Sequence, residues 1–169
     1  MNITRRDVVL KWTAYLLALW LTAMANYYFL PSLPIPIPLL LPVLAVAGGT
    51  LEGAPFGAVY GMACGVLMSG LGGQSALCIA ALSAFGWAAG LITQYVLRRD
   101  VLGCLICSGG VLVLWECREV GARLLRGTAP PGVLLRVGAS ELLCSVIFIL
   151  PVYWVGLFCC IHFGRICHE

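Results

Sequence analysis

Glycine or serine occupies every fourth position from Gly49 to Gly73: Gly49, Gly53, Gly57, Gly61, Gly65, Ser69 and Gly73. A helix in water loses about 1 kcal/mol for each interior glycine relative to alanine, so a soluble helix built this way would defeat itself. In lipid the backbone is driven to be helical because its polar groups find no water. There, small residues at this spacing let a second helix approach closely. The ladder therefore points to helices packed inside a membrane.

Composition agrees. The chain is 62% hydrophobic and only 10% charged, far from an average globular protein. A span needs about 20 apolar residues, so 169 residues accommodate five or six spans and no separate soluble domain. The apolar run from Val8 to Leu30 is too long for the core of a cleavable signal peptide and reads as an uncleaved first span. Cys64, Cys78, Cys104, Cys107, Cys117, Cys144 and Cys159 lie within apolar runs, where cysteine behaves as a small hydrophobe.

The expected architecture is a compact all-α integral membrane bundle of about six transmembrane helices, over residues 8–29, 36–51, 55–71, 76–97, 101–125 and 133–163, in a single domain. Four prolines in Pro31–Pro38 forbid a regular helix and favour an extended strap. The second segment is short and broken by Pro42, so five spans with a re-entrant second segment is the alternative. Pro55 suits a first helical position, with Glu52 near the positive helix end. Pro151 is expected to kink the last helix. Six spans place both termini on one side, together with Arg5, Arg6, Lys11, Arg98, Arg99 and Arg165. The positive-inside rule makes that side cytoplasmic, and Arg126 lies opposite.

Within the ladder, Gly49 and Gly53 are expected in the turn before Pro55, and Gly73 in the turn after the helix. That leaves Gly57, Gly61, Gly65 and Ser69 as a groove. The fourth helix answers with Ala80, Ala84, Gly86, Ala88 and Gly90. The groove serves either packing of these two helices or docking of another protein's helix.

A second constellation lies on the fifth and sixth helices. Folding them about Ala129 sets Arg118 level with Glu141, Glu116 opposite Leu142, and Arg136 beside Ala122 within reach of Glu119 and Arg123. Charges at mid-membrane cost about 2.5–3.5 kcal/mol each on insertion scales, so they should pair or face a cavity. The cluster is read either as a structural ion-pair set or as a polar recognition surface.

Other chemistry is sparse. Cys104-x-x-Cys107 lacks a second pair, and Cys159, Cys160, His162, Cys167 and His168 fit no metal-site spacing, so no metal and no cofactor are expected. Trp12, Tyr27, Tyr28, Tyr95, Tyr153 and Trp154 suit an interfacial belt. No phosphate loop, nucleophile elbow or HExxH helix occurs, which argues against an enzyme. The cytoplasmic bases suit anionic lipid heads of the bilayer, with no nucleic acid implied.

The run Gly57-Ala-Val-Tyr-Gly61-Met-Ala-Cys-Gly65-Val-Leu-Met-Ser69, followed by Gly72-Gly73 and the Gly86-x3-Gly90 helix, resembles the bacterial rod shape-determining MreD family. Glu141 before the proline-containing run at Pro151, and the pair Arg98-Arg99, fit the same pattern. Ser69 departs from it, since family members often carry aspartate there. The resemblance implies a non-enzymatic scaffold of cell elongation and peptidoglycan synthesis in the bacterial inner membrane. Its implied partners are an MreC-like single-span protein, the elongation glycosyltransferase/transpeptidase pair and MreB filaments. The implied fold is like that of energy-coupling-factor substrate-binding components. Such a vitamin-transporter component is also the alternative function, with Ala14-x3-Ala18 as its small-residue contact and the proline strap as a lid.

Overall fold

The computed structural model describes residues 5–32, 38–97, 100–125, 127 and 130–163, with the side chains of 5–7, 131 and 160–163 left aside. Arg98, Arg99, Arg126, Arg165, Cys167 and His168, and most of the proline strap, fall outside the described residues. Helix is the only regular structure among those described. The helices are α1 (Arg5–Met24), α2 (Leu40–Glu52), α3 (Ala54–Gly72), α4 (Leu77–Tyr95), α5 (Val101–Leu125) and α6 (Pro131–Phe163). Among the described residues, five segments are long and apolar enough to cross a membrane: Val8–Ser32, Ala54–Gly72, Leu77–Tyr95, Val101–Leu125 and Gly132–Cys159.

The expected second span, 36–51, takes a different form. Helix α2 has 13 residues, about 20 Å at 1.5 Å per residue, well short of a hydrocarbon core of about 30 Å. Every residue from Leu40 to Leu51 is buried, because α2 is the centre of the bundle with α1, α3, α4, α5 and α6 packed around it. Gly49 is correspondingly inside α2 and not in the turn before Pro55. Only Gly53 makes that turn, at φ 102°, a conformation open to glycine and strained for other residues. Pro55 sits in the first turn of α3, where its missing N–H costs nothing. Gly73 closes α3 in the left-handed region, at φ 62°.

The start of α2 lies within the bundle, where water cannot serve its unpaired N–H groups. Ser145 of α6 caps it: the Leu39 N–H donates to Ser145 Oγ at 2.9 Å, and Ser145 Oγ donates to the Glu141 carbonyl at 2.7 Å. Helix α6 continues through Pro151 as one element.

Helix α1 buries a thin stripe, Lys11, Tyr15, Leu19 and Ala23, while Leu16, Leu17, Trp20 and Leu21 stay exposed. It then widens into a π-helical turn (Ala25–Phe29) and a 3-10 turn (Leu30–Ser32). The wider turn keeps Asn26 and Leu30 on the buried side. Asn26 Oδ1 is buried without a hydrogen-bond partner among the described residues.

Candidate functional site

The glycine ladder closes on the chain itself. A Cβ added to Gly49, Gly57, Gly61, Gly65, Gly86 or Gly90 would fall within 3.0 Å of backbone atoms of a facing helix. Gly49 and Gly57 both meet Gly86, so three helices converge at one point. Gly61 meets Leu82, Gly65 meets Ile79, and Gly90 meets the start of α3 at Ala54. These contacts set α3 antiparallel to α4 with backbones almost touching. Ser83 Oγ of α4 adds a hydrogen bond to the Ala58 carbonyl at 3.0 Å. Ser69 does not join the seam's close approaches; its Oγ donates to the Gln74 carbonyl at 3.0 Å and ties the α3–α4 turn. The groove of Gly57, Gly61 and Gly65 is therefore filled by α4.

The polar cluster of α5 and α6 is partly assembled. Glu116 is buried, and its Oε2 lies against the Cα side of Gly138, where an added Cβ would be 3.1 Å away. That is one helical turn from the expected level at Leu142. Glu116 and Glu141 interact electrostatically with Glu119 and Arg123. Arg118 bonds Glu119 at 3.1 Å on the surface and lies over the Trp115 ring, 5.0 Å from its centroid. It also reaches Cys78 Sγ of α4 at 3.8 Å. Arg136 is exposed. Two residues from Gly138, it leaves α6 about 160° away from the face that meets Glu116.

The sequence reading missed a better-built polar site. Lys11 of α1 and Glu52 at the end of α2 form an ion pair of 2.5 Å, with side chains 8% and 2% exposed. Tyr15 Oη donates to the other Glu52 oxygen at 2.9 Å, and Tyr60 Oη donates to the Tyr15 carbonyl at 3.0 Å. Rings enclose the pair: Lys11 Nζ sits 5.6 Å from the Phe56 centroid, and Trp12, Tyr15 and Tyr60 pack around Phe56 at 4.9–5.6 Å. The expectation put Lys11 with the cytoplasmic bases and Glu52 at the start of the third helix. Both side chains are buried, and they face each other across α1 and the α2–α3 junction. Two signals were present: Lys11 is the only lysine, and Glu52 is the only acid between Asp7 and Asp100.

Grooves on the outer surface of the described residues include two of note. One, of about 610 Å³, lies along α3 and α4 and is lined by Ala58, Met62, Ala80, Ser83, Ala84 and Trp87 among others. The other, of about 480 Å³, lies between α1 and α6, with Ala14, Leu17, Ala18, Val155, Phe158 and Cys159 in its walls. Both are open and apolar. The seven described cysteines are free thiols, and no three His, Cys, Asp or Glu side chains gather as metal ligands among the described residues.

Fold and surface together define a class: an all-helical bundle of the multi-pass membrane type, closed at its centre and grooved outside. Comparison with protein-family models, curated proteins and solved structures finds no match for the chain.

Proposed function

We propose that this protein is a non-enzymatic scaffold in the bacterial inner membrane, serving cell elongation and peptidoglycan synthesis by binding partner membrane helices. Both termini lie on the cytoplasmic side in this reading. The partner envisaged is an MreC-like single-span protein, and through it the elongation polymerase pair and MreB filaments. The reading draws on the resemblance of the Gly57–Ser69 run. One structural observation supports it most: the glycine seam is filled by the chain's own α4, while the two grooves open outward and are walled by small apolar side chains. Small residues on an outer face allow a partner helix to pack closely in lipid. The internal Gly57 face is thus set aside as the docking surface in favour of the outer grooves.

Photoreactive residues at Met62 and Trp87, and separately at Leu17 and Phe158, test this. The expected result is an adduct with a single-span, coiled-coil periplasmic protein from at least one pair, and none from Tyr60 in the core. Adducts with lipid alone from all four positions would overturn the reading. The vitamin-transporter alternative is favoured by one observation, the presence of Ala14 and Ala18 in the α1–α6 groove. A stoichiometric small solute bound to the purified protein would select it.

A further inference from the structure

Helix α1 is joined to α2 through a segment rich in proline, and its outward face is exposed along most of its length. Its polar contacts with the rest of the bundle include three bonds at one place. Lys11 Nζ and Tyr15 Oη occupy the two oxygens of Glu52, and the Tyr15 carbonyl accepts from Tyr60. The receiving side is made by other helices: Glu52 ends α2, and Phe56 and Tyr60 belong to the first turns of α3. A carboxylate beside an aromatic face is the arrangement that binds an ammonium group, by charge-assisted hydrogen bonding and by attraction to the ring.

We infer that Glu52 and Phe56 form a primary-ammonium site that the chain's own Lys11 occupies, with Tyr60 holding the Tyr15 carbonyl beside it, so that α1 docks as a tethered ligand. The site is rigidly placed. Glu52 precedes the positive-φ Gly53, and the adjoining Ala54 is held against Gly90 of α4. Filling it sets the position of α1 and, with it, the α1–α6 groove, whose α1 wall (Leu10, Ala14, Leu17, Ala18) lies on the same helix. An empty site leaves a buried carboxylate uncompensated, which strongly favours filling it. The device is a latch with a defined chemistry, and it sets the width of that groove.

The test uses the full chain in lipid nanodiscs, with every cysteine replaced by alanine and Leu17→Cys and Phe158→Cys added, two exposed positions on opposite walls of the groove. A short bifunctional maleimide then reports the α1–α6 distance. Lys11→Ala is expected to lower crosslinking at least tenfold. Propylammonium, which restores the missing part of the lysine side chain, should recover most of it, while 1-propanol should not. Glu52→Gln should lose crosslinking to the same degree without rescue by the amine. Exchanging the charges with Lys11→Glu and Glu52→Lys together should restore crosslinking above either single variant, with helicity unchanged by circular dichroism. Unaltered crosslinking in Lys11→Ala overturns the inference. So does a loss that amine and alcohol repair equally, or that neither amine nor charge exchange repairs, since a loss of packing alone would give those results.

Discussion

The three-helix glycine junction yields a sharp prediction for Gly57→Ala. The added methyl would lie within 3.0 Å of Gly86 backbone and of Gly49 Cα, whereas ordinary contact begins near 3.4 Å. Both neighbours are backbone, so no side chain can rotate aside, and α2 or α4 must move by several tenths of an ångström or more. Overpacking of this kind costs about 1–3 kcal/mol, and rigid surroundings put the change at the upper end. Gly110→Ala is the matched control, because a Cβ there meets nothing within 4 Å. It should be close to neutral, because in lipid the backbone is driven to be helical with or without the methyl. The two variants are thus separated by roughly 2–3 kcal/mol. Thermal unfolding in a mild detergent should place Gly57→Ala at least about 5 °C below Gly110→Ala, on the usual scaling for a chain of this size. Gly86→Ala should resemble Gly57→Ala, and the double variant should cost less than the sum, because the two glycines share one contact. Equal melting of Gly57→Ala and Gly110→Ala would refute the claim that backbone contact at this junction holds the bundle together.

Other expectations follow from single contacts. Ser145→Ala removes the partner of the Leu39 N–H inside the bundle and should destabilise by about 1–3 kcal/mol, read as a lower unfolding temperature. Trp115→Ala empties a fully buried site on α5 and should cost about 3–5 kcal/mol in the same assay. Arg118→Gln, by contrast, breaks a surface pair and should change stability by less than about 1 kcal/mol. Ser69→Ala loses the bond to the Gln74 carbonyl, with an expected cost near 1 kcal/mol and no effect on crosslinking across the α1–α6 groove.

Much of the fold was legible because lipid makes few demands, and length and hydropathy express them directly. Helices α3, α4 and α5 begin and end within two residues of the expected limits, marked by Pro55, by Gly72-Gly73 and by the charged turn before Val101. Helix α2 was harder to read. Its uniform apolarity is that of a span, and only its encirclement by five helices shows why so short a piece is fully buried. The same reason moved Gly49 from turn to helix, since spacing alone does not tell a cap from a packing position. The Lys11–Glu52 pair escaped notice because its members are 41 residues apart and each had a plausible local explanation. For Arg136, a hairpin register gives depth along α6 but not direction around it.

The burial of α2 has a consequence for how the protein is made. A segment of 13 residues is a weak stop for the machinery that inserts helices, and alone in lipid it cannot shield both of its ends. Its neighbours α3 and α4 can each cross unaided. Its position is therefore set by its neighbours: the turn at Gly53 joins it to α3, and Ser145 of α6 secures its far end. A ribosome-arrested chain ending before α6 would lack that last fastening.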